Sequence, residues 1–330
     1  LDPHRCGNRG RLSTGDHGRK DEGVIGKRML RRAMLAWGRW GRASGYRYQW
    51  LDRHGAKLAE KELLPARLPN GSQVLCDLRD HVQRQIWFNG AYEPVETYLF
   101  SQLLQPGMTV LDIGANVGQY TLIASTAVGP SGQVHSFEPV PSTFARLQRH
   151  VELNQLANVT LNQAALWFED APLKLGLAPE SANNLGSYSV GAAQVQETAV
   201  SALGIRLETY ALMEKLTRLD LVKMDIEGAE LFALQGGRAL LDRFHPVILM
   251  EVNREALGKL NTDPESLWQF VADLGYSAWQ IGFSPETSGP IANFNDLDQA
   301  NVLLYTGPLP KTVTSGWNYR QVMQWAGANQ

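Results

Sequence analysis

The sequence predicts an α/β protein built on a doubly wound, mostly parallel sheet, and three observations carry that expectation. Strand-like apolar segments alternate with helix-patterned ones from Thr109 to Glu251. The first of these strands runs into a glycine-bearing turn, Asp112-Ile113-Gly114-Ala115-Asn116-Val117-Gly118, with a helical pattern directly behind it. The next strand delivers Phe137-Glu138-Pro139, a carboxylate placed 20 residues after Gly118. Strand, tight turn, helix and distant acid make a nucleoside-binding half-site. The turn lets a ligand approach the backbone, and the acid accepts hydrogen bonds from ribose hydroxyls.

The elements follow in order. Residues 61–93 read as an antiparallel prelude with short strands around 73–77 and 86–88, and 94–104 as a helix ending at the Pro106-Gly107 turn. Parallel-strand candidates occupy 109–113, 133–138, 159–163, 220–225 and 247–251. The last is apolar until Glu251, as expected of a strand covered on both faces. Helices intervene at 118–127 and at 141–154, where Phe144, Leu147 and Val151 share one face. The long stretch 165–219 contains two alternating runs, Leu173-Lys174-Leu175 and 198–203, around a polar, turn-rich segment at 180–189. A hairpin extension whose loop covers the cleft is expected there. Residues 264–274 look helical.

The turn also chooses between ligands. A dinucleotide fingerprint needs G-x-G-x-x-G, whereas these glycines are spaced G-x-x-x-G, and no P-loop lysine occurs between Gly107 and Gly132. Asp112, expected to point into the crevice, would repel a pyrophosphate but accept hydrogen bonds from an ammonium. A ligand with a cationic amino-acid end and a ribose end suits both Asp112 and Glu138. S-adenosylmethionine is such a ligand.

Asp-Ile-Gly-Ala-Asn-Val-Gly, Phe-Glu-Pro and Val222-Lys223-Met224-Asp225-Ile226-Glu227-Gly228-Ala229-Glu230 resemble the FkbM-type methyltransferases, a branch of the class I S-adenosylmethionine-dependent enzymes. Gly90-Ala91-Tyr92-Glu93-Pro94 and Asn301-Val302-Leu303-Leu304 are also similar to that family, so the resemblance runs from about Gln73 to Tyr305. It implies a Rossmann-like class I methyltransferase fold of seven strands, closed by a hairpin of 276–283 with 301–305. It further implies that Tyr92 and Glu93 fold over the cofactor, Glu93 near its amino group. A helix N-terminus is the other reading of Glu93-Pro94.

Ligands of open parallel sheets bind outside the carboxyl ends of the strands. Four of those ends carry an acid: Asp112, Glu138, Asp225 and Glu251. Because buried charges need partners, one shared cleft is the economical explanation. The expected cofactor contacts are Tyr92, Glu93, Asp112, Gly114, Asn116, Gly118, Tyr120, Glu138, Pro139, Ala164 and Asp225. Val140 and Ala165 lie near the adenine, and Asn162 or Gln163 stands in for its polar contact. Asp225, Glu251 and Glu227 are the candidate catalytic acids. A carboxylate raised in pKa by its neighbours can take the proton of an acceptor hydroxyl. Alternatively, Asp225 and Glu251 hold a divalent cation such as magnesium. Glu230 after Gly228 reads equally as a helix cap. His135 reads as structural and His245 lies at the wrong end of its strand, while His81 in the prelude could reach the cleft.

Composition bounds the rest. The 330 residues are 44% hydrophobic and 19% charged, as in ordinary globular proteins, and no apolar run is long enough for a transmembrane helix. Two cysteines make neither a disulfide framework nor a zinc pattern, so a cytoplasmic setting is expected. The net charge of −2 hides an asymmetry: residues 1–57 carry 14 Lys/Arg against 5 Asp/Glu, the remainder 17 against 28. Residues 1–57 are therefore expected to form a basic arm, disordered over 1–26, with a candidate amphipathic helix at 29–40 that either packs on the domain or makes weak contact with an anionic surface. The methyltransferase domain spans 58–310, with a C-terminal tail at 311–330. The acidic catalytic portion argues against nucleic acid and for a small-molecule or glycan acceptor. O-methylation of a sugar, glycan or polyketide-like hydroxyl leads. N-methylation of a small molecule and a non-catalytic scaffold are the alternatives.

Overall fold

The computed structural model describes residues 62–177, 188–190 and 199–329, together with Met29 and Ala33. The expected arm, the turn at 180–187 and all but two residues of the 29–40 helix lie outside the described residues.

The prelude opens with β1 (Leu64–Arg67) and β2 (Gln73–Cys76), paired antiparallel. The segment expected as a second prelude strand, 86–88, lies instead inside helix α1 (His81–Asn89). Its ends explain the difference. The Asp80 side chain accepts from the Gln83 N–H at the start, and Gly90 closes the other end at φ 89°. The aromatic run Ile86-Trp87-Phe88 suits a strand by propensity, but the caps decide. Helix α2 (Pro94–Leu103) follows with Pro at its first turn.

The central sheet then forms in sequence: β3 (Thr109–Ile113), α3 (Gln119–Val128), β4 (Gln133–Phe137), α4 (Pro141–Leu153) and β5 (Val159–Asn162). An insertion follows, with β6 (Ala165–Leu166), β7 (Ala171–Leu177), β8 (Tyr188–Ser189) and β9 (Ala199–Ile205) making a separate four-stranded sheet. β7 and β9 pair antiparallel from Ala171–Gly204 to Gly176–Ala199, as the two alternating runs predict. After α5 (Leu207–Met213), which the sequence reading left unassigned, come β10 (Leu221–Met224), α6 (Glu230–Gln235), α7 (Arg238–Phe244) and β11 (Val247–Asn253). The chain closes with α8 (Arg254–Lys259), α9 (Pro264–Asp273), β12 (Ser277–Gln280), β13 (Gly289–Ile291) and β14 (Gln299–Tyr305).

The sheet order is β13-β12-β14-β11-β10-β3-β4-β5, parallel from β11 to β5 and antiparallel at the other edge. The expected seven strands are present, and short β13 adds an eighth at the edge. Alternation along each strand splits the core into two layers. Val110, Leu221 and Leu249 face α2, α3 and α4, whereas Leu111, Val222 and Met250 face the layer containing Leu231, Leu257 and Leu267. Every residue of β3 is buried. Each such aliphatic side chain contributes about 1.5–3 kcal/mol, which is ample reason for this strand to sit centrally.

The segment expected as a C-terminal tail carries two helices. α10 (Lys311–Thr314) and α11 (Tyr319–Ala326) place Val313, Trp317 and Val322 in the same core cluster as α2. Among the described residues, no helix is long and apolar enough to cross a membrane.

Candidate active site

A cavity of about 220 Å³ opens at the carboxyl ends of β3, β4, β10 and β11. Its first wall is the turn after β3. Gly114 adopts φ +80°, and a Cβ there would lie 2.0 Å from the Asp225 carbonyl oxygen, so only glycine lets the two strand-end loops meet. The Gly114 and Ala115 N–H groups donate to the Phe137 carbonyl at 3.0 and 2.9 Å, locking this turn to the end of β4.

Glu138 sits beside that lock, buried and on the cavity wall. One of its oxygens accepts from the Asn116 N–H at 3.0 Å and the other from the Val140 N–H at 2.9 Å. A carboxylate has about four acceptor sites, so two remain to meet a vicinal diol. Burial pushes Glu138 up to about 7 against those two hydrogen bonds. Pro139, Val140, Ala164, Ala165, Leu166 and Trp167 continue this wall as an apolar slot. The expected adenine substitutes are elsewhere: Asn162 donates to the Ser136 carbonyl and the Tyr210 hydroxyl, and Gln163 is exposed and off the wall.

The opposite end is acidic. Tyr92, Glu93, Asp225, Glu227 and Glu251 all line it, joined by Lys223. Gln119 on α3 positions the first two: its side chain accepts from the Tyr92 N–H at 2.8 Å and donates to the Tyr92 carbonyl at 2.9 Å. Glu93 precedes α2 at φ 45° with no capping bond from its side chain, so the helix-terminus reading of Glu93-Pro94 holds for backbone position only. Its Oε1 accepts from Asn301 at 3.3 Å, as does Glu96, while its Oε2 is buried without a hydrogen-bond partner. Burial first, and Glu96 next, push Glu93 up to about 8. Glu251 accepts from Gln299 at 2.5 Å, and burial followed by the Asp225 charge pushes it up to about 7. Glu93, Asn116 and Glu227 are all left-handed non-glycine residues. Such backbone costs about 1–3 kcal/mol each and collects at functional sites.

Two expected contacts are off the wall. Asp112 is buried behind the turn, accepting from the Thr121 hydroxyl at 2.5 Å, and burial pushes it up to about 6. It ties β3 to α3 through Thr121 rather than facing the crevice. Gly118 has φ +96°, and a Cβ there would lie 2.6 Å from Leu147, so it serves helix packing. Tyr120 does line the cavity, over the Lys223 ammonium at 4.9 Å. Glu230 caps the loop after β10, accepting from the Ile226 and Gly228 N–H groups at 3.2 and 3.3 Å. His135 bonds the Tyr210 hydroxyl at 2.7 Å and is structural, His245 closes α7, and His81 stacks edge-on against Tyr92, off the wall.

A divalent cation fits this donor set poorly. Among the described residues no three His, Cys, Asp or Glu side chains converge as a metal site, and the Lys223 ammonium already lies 3.5 Å from Asp225 Oδ2. Sequence reasoning passed over Lys223, Gln119 and Gln299. Lys223 alone had a readable signal, a charge inside the apolar run Leu221-Val222-Lys223-Met224.

The strand order and the cleft together define a Rossmann-like methyltransferase architecture. Residues 112–278, half of the chain, match the family model described as the Methyltransferase FkbM domain, and the chain belongs to that family. It is 32% identical over 143 residues to Methyltransferase 1 of Beauveria bassiana (strain ARSEF 2860), covering 38% of this chain and 57% of that protein. It is 28% identical over 201 residues to the 31-O-demethyl-FK506 methyltransferase FkbM of Streptomyces tacrolimicus, covering 52% of this chain and 74% of that protein. Among solved structures it is similar to Methyltransferase FkbM from Methylobacillus flagellatus KT, with 13% identity and a TM-score of 0.35, over 68% of this chain and 55% of that one.

Proposed function

We propose that this protein transfers a methyl group from S-adenosylmethionine to a hydroxyl oxygen of a small-molecule or glycan acceptor. The observation that carries the reading is the two-ended cavity, with a diol-ready carboxylate and apolar slot at one end and buried acids at the other. The donor supplies the methyl group as an electrophile on sulfonium sulfur. Glu138 suits the ribose hydroxyls, the slot from Val140 to Trp167 suits the adenine, and Gly114, Asn116 and Tyr120 frame the middle. The acidic end favours the positive charge of the donor.

Transfer to oxygen requires a path for the hydroxyl proton. Glu251 is the group best tuned to accept it, because a base with a pKa near the working pH combines availability with driving force. Asp225 and Glu227 flank it on the same wall. An oxygen acceptor agrees with the name of the Streptomyces tacrolimicus relative, the 31-O-demethyl-FK506 methyltransferase FkbM. The test is calorimetry of the purified chain with S-adenosylhomocysteine, followed by transfer of labelled methyl to a panel of hydroxylated sugars and macrolides with amine counterparts. Product on the amines alone would replace the oxygen acceptor with nitrogen. An absence of cofactor binding would remove the reading altogether.

A further inference from the structure

We propose that His150 on α4 positions the 114–118 turn for the ribose of the methyl donor: its Nδ1–H holds the Val117 carbonyl, and the Leu75 N–H of the prelude, by occupying Nε2, fixes the proton on Nδ1. The proposal rests on the S-adenosylmethionine reading. It adds to that reading a positioning residue that acts through the turn and Glu138 without lining the cavity.

His150 is 1% exposed and lies off the cavity wall. Its Nδ1 stands 2.8 Å from the Val117 carbonyl oxygen, and its Nε2 stands 3.0 Å from the Leu75 backbone nitrogen. A carbonyl oxygen only accepts and a backbone N–H only donates. The two partners therefore leave one arrangement, with a proton on Nδ1 and a lone pair on Nε2. Burial, aided by the Arg146 and Arg149 charges, lowers the pKa of the ring and keeps a second proton off it.

The other end of this link is the site. Val117 lines the cavity between Asn116 at φ 49° and Gly118 at φ +96°. A left-handed non-glycine residue such as Asn116 persists only where its surroundings over-determine it. The Asn116 N–H is one of the two backbone donors that aim the Glu138 carboxylate. Holding the next carbonyl in the turn thus holds the peptide that orients Glu138. A packing role alone explains His150 less well. Asn154, one turn further on, already ties β2 to this helix, accepting from the Gln73 N–H at 2.7 Å and donating to the Gln73 carbonyl at 2.8 Å. The bond to Val117 adds nothing to that tie and reaches the turn instead.

The experiment compares S-adenosylhomocysteine with its 2′,3′-dideoxy analogue, which has no diol for Glu138, by calorimetry. The wild-type chain should bind the analogue about 10–100-fold more weakly, the loss expected for hydrogen bonds to a charged group. His150→Gln sets an amide oxygen where Nε2 stands, keeping the Leu75 bond and losing the Val117 one. It should bind the two ligands within about threefold of each other. His150→Asn, whose amide nitrogen takes the place of Nδ1, should restore most of the preference. Asn154→Ala should melt at a lower temperature yet keep the full preference. Full preference in His150→Gln, or its loss in Asn154→Ala, would make His150 one more staple of the prelude and overturn the proposal. Should His150→Gln not fold, nitrogen NMR of the wild-type ring decides, because a proton on Nδ1 supports the proposal and one on Nε2 overturns it. A wild type that binds S-adenosylhomocysteine without preferring the diol also overturns it, while the donor assignment stands. One that binds no S-adenosylhomocysteine removes both.

Discussion

At the scale of single residues, the cavity sorts its carboxyls by what holds them. Glu138 is fixed by two backbone N–H groups and has acceptor capacity to spare. Glu138→Ala should therefore weaken S-adenosylhomocysteine binding by about 1.5–3 kcal/mol, measured by calorimetry at pH 7. Retained affinity would move the ribose site elsewhere. Glu251 differs, because its neighbour Asp225 and its burial hold its proton up to about 7. If Glu251 is the base, the transfer rate should climb as pH rises through about 7 and level off above it. Glu251→Gln should lower turnover roughly 10²–10⁴-fold while leaving cofactor affinity near its wild-type value. A flat pH profile together with an active Glu251→Gln enzyme would pass the role to Asp225 or Glu227. Asp112 shows the limit of sequence reasoning at this scale. Its position at a strand end was plain, but the direction of its side chain depends on Thr121, which comes from the following helix.

At the scale of elements, two turns control the site. Gly114 lies where the β3 and β10 loops touch, so Gly114→Ala must push the Asp225 backbone away and should abolish cofactor binding. Gly275→Ala is the matched control, at φ +79° beside +80° for Gly114. It too has positive φ, but its Cβ meets nothing within 4 Å, so its cost is conformational, on the order of 1 kcal/mol. Thermal melts and calorimetry of both variants separate the close approach from backbone strain. Helix α1 depends on its caps rather than on residue propensity. Asp80→Ala should cost about 0.5–2 kcal/mol in chemical denaturation. A value near zero would mean that packing of Ile86 and Phe88 on the core suffices without the cap.

For the whole molecule, the clustered buried acids set the response to pH. Glu93 and Glu230 are pushed up to about 8, and Glu138 and Glu251 up to about 7, in each case chiefly by burial. In the unfolded chain these groups lose their protons near 4.5, so between the two values the folded state binds more protons. Stability must then fall as pH rises through 7 and 8. His135 and His150, held neutral by burial, act in the opposite sense, but only up to their unfolded value near 6.5. Asp77, Asp170 and Asp263 have lowered values and have completed their contribution well below that. The ligand-free protein should therefore melt at a lower temperature at pH 8 than at pH 6.5. A cationic donor in the acidic end should narrow that gap. A melting temperature that rises over this interval would show that these carboxyls are ionised in the folded chain.

Much of the fold was legible in the sequence, because its signals are local and periodic. The five parallel strands, the helices between them, the closing hairpin and the paired runs of the insertion follow from alternation, apolar runs and glycine turns, which act over a few residues at a time. So does the placement of Glu138, Asp225 and Glu251 on the cavity wall, since the carboxyl ends of strands in such a sheet border the cleft. Other features were decided only in three dimensions. The caps of Asp80 and Gly90 override the strand propensity of Ile86-Trp87-Phe88, and 311–329 joins the core because α2 offers a face to cover. Asp112 leaves the wall and Lys223 joins it for one physical reason. A side chain's environment is set by residues far away in sequence, here Thr121 over Asp112, and Tyr120, Glu93 and Asp225 around Lys223. Burial and charge at a site are sums over such neighbours, and only the folded chain brings those neighbours together.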